Sequence, residues 1–383
     1  MFLKIVSGLQ GCTPRILSSD RIQINVVHKR RNISPLTRPT STTDFYSQYK
    51  GRTRNIMAQS IQITAASAPA NEEQDFPSLV TASWLKDNFS SCKILCAAWY
   101  LPIQNKDALK EYCEERIPGA QFFDLDGIAD KTTDLPHMLP SETQFSAAAD
   151  TLGITNDDIL IIYDHLGLFS APRAWWTWHV FGHKKVAVLD GGFPAWKAVG
   201  GDVDTSASGT DEDGKKKILA PTQAAQSSSL PPASLNYKSK LLTQEVRSYK
   251  QVLNNISAND KKEVVVDARP APRWRGEAPE PRPGLALGHI PGSYNIPWDS
   301  VQSGGILKPV SELHELFKAN GLDLKGGKKP QAVFSCGSGT TACILALAAK
   351  QIDKDAEVAI YDGSWSEWGA LPDVPIDTAI SLK

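Results

Sequence analysis

Three stretches of this chain recur about 172 residues later, in the same order and at nearly constant spacing. Arg116-Ile117-Pro118-Gly119-Ala120 returns as His289-Ile290-Pro291-Gly292-Ser293, and the apolar run Ile159-Leu160-Ile161-Ile162-Tyr163 returns as residues Gln331 to Ser335. Leu189-Asp190-Gly191-Gly192-Phe193-Pro194-Ala195-Trp196 returns as Tyr361-Asp362-Gly363-Ser364-Trp365-Ser366-Glu367-Trp368. Such a period is too long for a stacked solenoid and fits a duplicated domain. The 383 residues have room for two units of about 100–150 residues and some additional segments. The repeat places the units at residues 77–202 and 241–375, joined by a segment 203–240. The middle of that segment, with its Ser-Ala-Ser-Gly stretch and the run Asp211-Glu212-Asp213-Gly214-Lys215-Lys216-Lys217, reads as a solvated linker.

Within each unit short apolar runs alternate with amphipathic helical stretches. In the first unit the order is Ile94-Leu95-Cys96, then 107–116, then Ile159 to Tyr163, then 171–181, then 186–189. Strand-helix alternation predicts an α/β fold, here two domains each built on a parallel sheet with helices on both faces. Ligand chemistry in such sheets belongs at the carboxyl ends of the strands.

Charge is distributed unevenly along the chain. Residues 1–57 carry ten Lys/Arg against only Asp20 and Asp44, while the remainder holds 31 basic against 40 acidic residues. A basic, Ser/Thr-rich, acid-poor leader without a long apolar core predicts a transit peptide over 1–57 and a mitochondrial matrix location. Met57 could start a shorter cytoplasmic form. No apolar run is long enough to span a bilayer, and the acidic body has no stripe for nucleic-acid phosphates. Six cysteines without regular pairing argue against a disulfide framework, and none has zinc-ligand spacing. No cofactor or metal is expected.

The chemistry concentrates where the second unit's apolar run Ala332-Val333-Phe334 leads into Cys336-Gly337-Ser338-Gly339-Thr340-Thr341-Ala342-Cys343 and a helical stretch. A thiol between a strand end and a helix start, followed by glycines that let backbone N–H groups converge, sits in a field that favours thiolate. The alternative for such a residue is a small buried hydrophobe. A cysteine phosphatase needs an Arg six positions after the thiol, where this chain has Ala342. In the repeat Cys336 falls opposite Asp164, so the first unit cannot carry out the same chemistry. The loop 337–341 has no cation, but Arg269, Arg273, Arg275 and Arg282 follow the strand ending at Asp267. Their Pro-rich segment is expected to be an extended, semi-rigid loop at the same sheet edge, with guanidinium groups suited to a substrate carboxylate. For each arginine, a solvated or salt-bridging role is the alternative.

Over residues 77–375 the chain resembles the tandem-domain rhodanese family, in its mercaptopyruvate-using branch. The resemblance rests on Cys336-Gly337-Ser338-Gly339, Tyr361-Asp362-Gly363-Ser364-Trp365, Gly288-His289-Ile290-Pro291-Gly292, Phe122-Phe123-Asp124-Leu125-Asp126 and His137-Met138-Leu139-Pro140. It departs from the family pattern at Thr340, at Pro272-Arg273-Trp274 and at Cys96.

The resemblance implies that Cys336 accepts sulfane sulfur as a persulfide and that Ser338, His137 and Asp126 handle protons. It further implies that Arg273 and Arg282 hold the donor's carboxylate and keto groups, beside the loop residues Gly337, Gly339, Thr340 and Thr341. Gly337 and Ser338 resemble the small neutral residues of the mercaptopyruvate-using branch, and the resemblance thereby implies 3-mercaptopyruvate as the donor, with pyruvate released and the sulfur passed to thioredoxin, another thiol or cyanide. A monomer is expected. Two rival readings are a thiosulfate:cyanide sulfurtransferase and a non-catalytic sulfur-carrier or protein-binding module. Cys343 is read either as helix packing or as a resolving thiol.

Overall fold

A computed structural model describes residues 76–206, 235–325 and 331–378. The leader, Met57, the charged run 211–217 and the centre of the linker therefore lie outside the described residues. The first unit contains strands β1 (Leu79–Val80), β2 (Cys92–Cys96), β3 (Gln121–Phe122), β4 (Ile159–Tyr163) and β5 (Val186–Leu189). They form an all-parallel sheet in the order β1-β5-β4-β2-β3. The second unit contains β6 (Val246–Arg247), β7 (Glu263–Asp267) and β8 (Tyr294–Asn295), a small antiparallel hairpin of β9 (Gln302–Ser303) and β10 (Ile306–Leu307), then β11 (Gln331–Ser335) and β12 (Val358–Tyr361). Its sheet order, β6-β12-β11-β7-β8, repeats the first topology strand for strand. The duplication read from sequence is therefore a duplication of fold.

Strand alternation explains why helices cover both faces. In β4, Leu160 and Ile162 join one buried cluster while Ile161 and Tyr163 join another. In β11, Ala332 and Phe334 face one way and Val333 the other. One cluster takes the inner face of both sheets, together with helices Ala171–Val180 and Ala342–Ile352, which pack against each other. Both helices follow the equivalent strands β4 and β11, and almost every residue in them is buried. An apolar helix face that neither unit could cover alone is thereby buried between the two.

Each unit also reaches across to the other. Leu307 at the end of the second unit's hairpin donates its N–H to Asp190 Oδ1 (2.9 Å), and Gln302 Nε2 donates to Leu168 O (3.0 Å). Reciprocally, Leu139 of the first unit donates its N–H to Asp362 Oδ2 (2.9 Å). Asp190 and Asp362 are equivalent positions of the repeat. The described ends of the linker are structured on the first unit: Asp204 pairs with Arg116 (2.7 Å), and Tyr237 is buried beside Phe145.

The loop after β4 shows what this strand-loop-helix geometry can do with an anion. The Asp164 carboxylate accepts five backbone N–H bonds, from Leu166 and Gly167 at Oδ1 (2.8 Å each) and from Phe169, Ser170 and Ala171 at Oδ2 (2.9 Å each). Asp164→Ala should cost about 3–5 kcal/mol of unfolding free energy, because those buried donors lose their partner. Asp164→Asn should cost less, since it retains one acceptor oxygen. Urea denaturation measures both, and equal losses would show that the amides do not depend on the carboxylate.

Candidate active site

Cys336 follows β11 directly and is 2% exposed. Its backbone is fixed from the segment after β12: Cys336 N–H donates to Ser364 Oγ (3.2 Å), and Trp365 N–H donates to Cys336 O (3.0 Å). Ser366 donates to Gly337 O from both its N–H (2.9 Å) and its hydroxyl (2.6 Å). Those bonds hold the start of the loop while leaving its amides uncommitted. None of the N–H groups of Gly337, Ser338, Gly339, Thr340 and Thr341 donates to a described residue. The equivalent loop of the first unit spends its amides on Asp164, so this one offers the same kind of cradle to a ligand or to the sulfur itself.

Gly339 has φ +76°, and a Cβ there would come within 2.8 Å of Arg173 Nη1. A Cβ on Gly337 would stand 3.1 Å from Arg273 Nη2. The uncharged loop is thus matched to cations supplied from other elements. Thr340 is buried with its hydroxyl unpartnered, and Thr341 caps the helix Ala342–Ile352 without a side-chain bond. The Ser338 hydroxyl is joined to neither His137 nor Asp126 by a hydrogen bond. Cys343 is fully buried and donates its thiol to Gly339 O (3.2 Å), while burial pushes that thiol well above its ordinary pKa. Packing, rather than a resolving role, fits such a residue.

The four arginines separate into distinct environments. Arg269 is buried, gripped by Asp267 (Nη2 to Oδ2, 2.7 Å) and Glu280 (Nη1 to Oε1, 2.7 Å), and lies 4.1 Å over the Trp365 ring. Arg275 pairs with Glu277 at the surface (2.7 Å). Arg273 is tied to Glu280 through Nε (3.2 Å) and Nη2, and still reaches Gly337. Arg282 is half-buried and has no ion pair among the described residues. Its pKa is lowered by burial; Cys336, Asp126 and Glu280 oppose that shift, and Arg273 adds to it.

The segment carrying Arg273 is not extended as its prolines suggest. Ala271–Trp274 forms a short helix behind Pro270, because Pro272 falls in the first turn, where its missing N–H costs nothing.

His137 and Asp126 come from the first unit, as expected of a site between domains. His137 Nδ1 lies 2.7 Å from Asp126 Oδ1, and Trp99 Nε1 donates to Asp126 Oδ2 (2.8 Å) while its ring packs edge-on to His137. Burial raises the Asp126 carboxyl, but His137, Trp99 and Lys131 outweigh it and hold the group below the ordinary aspartate pKa. The first unit also contributes Arg173, which is 1% exposed. It binds Asp362 Oδ1 (2.7 Å), Gly339 O (3.3 Å) and His137 O, tying the histidine segment to the cysteine loop.

Comparison with known proteins bears on the family of this fold. The rhodanese-like domain description matches residues 81–199 and 248–371. The chain belongs to the rhodanese family. The thiosulfate/3-mercaptopyruvate sulfurtransferase 1, mitochondrial, of Arabidopsis thaliana is 42% identical over 342 residues, covering 87% of each chain. The 3-mercaptopyruvate sulfurtransferase of Rattus norvegicus is 38% identical, over 77% of this chain and 93% of its own. The crystal structure of SseA from Escherichia coli, described as a 3-mercaptopyruvate sulfotransferase with the rhodanese fold, superposes with a TM-score of 0.61 at 34% identity. It covers 76% of this chain and all of that one. The protein is an enzyme, a transferase of the rhodanese type.

In this rhodanese the sequence reading missed Glu280, Arg173 and the part played by Asp362. Asp362 stood in a recurring motif with no role attached. Arg173 was visible as a single cation inside the apolar helical string Ala171-Pro172-Arg173-Ala174-Trp175-Trp176, a signal that a buried partner must exist.

Proposed function

We propose that this sulfurtransferase takes sulfur from 3-mercaptopyruvate onto Cys336 and passes it to a thiol acceptor. The observation that supports it best is Arg282, a cation near Cys336 without an ion pair among the described residues, beside a loop that contributes no charge of its own. Arg282 and Arg273 hold the donor's carboxylate and keto oxygen, fixing its sulfur near the thiolate. The Cys336 sulfur attacks the donor sulfur, and the carbon–sulfur bond breaks with its electron pair going to carbon. The pyruvate enolate leaves and is protonated at carbon, and Cys336 keeps the outer sulfur as a persulfide. The amides of the loop stabilise the sulfur anion. His137 with its neighbour Asp126, and Ser338 apart from them on the cysteine loop, are the proton-handling groups.

A dithiol acceptor such as thioredoxin removes the outer sulfur in two steps. One thiol takes it as a persulfide, then the second thiol displaces hydrogen sulfide and closes a disulfide. Cyanide takes the same sulfur as thiocyanate. The protein acts as a monomer. Its basic leader, and a relative named as mitochondrial, support a mitochondrial matrix location, with a cytoplasmic form starting at Met57.

Steady-state kinetics with cyanide as acceptor should give a kcat/KM for mercaptopyruvate well above that for thiosulfate. A higher value for thiosulfate would replace the donor assignment, and the absence of a Cys336 persulfide after exposure to either donor would favour a binding module.

A further inference from the structure

We propose that Glu280 is a specificity-determining residue: by pairing with Arg273 it leaves Arg282 as the cation near Cys336 without an ion pair among the described residues, matching the site to a monoanionic sulfur donor and against a dianionic one. The inference rests on the donor reading above, and it names the residue that sets the charge of the site.

The Glu280 side chain is 2% exposed and lies between two guanidiniums. Oε1 accepts from Arg269 Nη1 at 2.7 Å, and Oε2 accepts from Arg273 at Nε (3.2 Å) and Nη2. Arg269 does not need Glu280 for charge balance, because Asp267 already holds it through both carboxylate oxygens. Glu280 therefore pairs directly with Arg273, and reaches Arg282 only as a weaker charge acting through space. Asp126 is likewise engaged, by His137, Trp99 and Lys131. Arg282 remains as the cation near Cys336 without an ion-pair partner among the described residues. A carboxylate donor with a neutral keto group brings one negative charge to such a site. Thiosulfate brings two, and the second meets an arginine whose charge is already balanced. Gly337 belongs to the same arrangement, since a side chain there would crowd Arg273 Nη2.

The test compares kcat/KM for thiosulfate and for mercaptopyruvate, with cyanide as acceptor at low ionic strength, in the full chain and three variants. Glu280→Gln keeps the shape and one acceptor oxygen but removes the charge, and should raise the thiosulfate-to-mercaptopyruvate ratio about tenfold. Arg273→Gln leaves Glu280 unbalanced and should lower that ratio. The double variant should return it towards the wild-type value.

A purely structural role would lower both donors together, so ratios unmoved in both single variants, or moved in the same direction, would overturn the proposal. Should Glu280→Gln fail to fold, the direction of change in Arg273→Gln decides alone. A wild-type enzyme that prefers thiosulfate overturns the donor assignment, while the opposite shifts in the two variants still report on Glu280.

Discussion

Cys336→Ser should abolish sulfur transfer from either donor, with a fall of about 10⁴-fold or more in kcat/KM and no change in the circular dichroism spectrum. Serine fills almost the same volume in this buried position and retains both backbone bonds, to Ser364 Oγ and from Trp365 N–H. What it cannot supply is a soft anion able to attack a sulfur atom, because a hydroxyl remains protonated at neutral pH. Mass spectrometry of the wild-type chain after exposure to mercaptopyruvate should find one additional sulfur atom on the Cys336 peptide, and none in the variant. Cys343 is the neighbouring thiol, but its burial and its bond to Gly339 O keep it protonated. Transfer surviving in Cys336→Ser, or extra sulfur found on Cys343, would refute the assignment.

Arg282→Leu should reduce kcat/KM for mercaptopyruvate by about a hundred- to thousandfold, equivalent to about 3–4 kcal/mol, by removing a charge-assisted contact to the carboxylate from a partly desolvated site. The loss should be shared by binding and turnover, since the same contact anchors the donor and orients its sulfur. Arg282→Lys should recover only part of it, because an ammonium keeps the charge but not the planar fork. Arg275→Leu is the control: Arg275 pairs with Glu277 at the surface, and its loss should leave the kinetics unchanged. If Arg282→Leu and Arg275→Leu behave alike, the carboxylate is held elsewhere.

Much of this protein is legible in its sequence. The repeat offset fixed two equivalent units, and alternation within runs such as Ile159 to Tyr163 implied sheets covered on both faces, because side chains of successive strand residues point to opposite sides. The strand, the thiol and the glycines after it marked the cradle, since small residues at such a turn have a local backbone meaning. The Asp164 position marked the half of the repeat without the thiol. Local conformation was less secure, as the short helix Ala271–Trp274 shows. Proline excludes a helix interior yet tolerates a first turn, and only the surrounding packing selects between the two.

The order of residues along the chain thus reveals the duplicated α/β architecture, the candidate nucleophile and the arginines from which the candidate site is drawn. How charge is shared among them emerges in the folded chain. Asp267 claims Arg269, Glu280 claims Arg273, and Arg282 is left beside Cys336, while Arg173 carries the first unit's histidine segment to the second unit's cysteine loop. Hydrophobic periodicity is a property of neighbouring residues along the chain and can be read from sequence. Ion pairing depends on a few ångströms between residues as far apart in the chain as Arg173 and Asp362, and folding alone sets those distances.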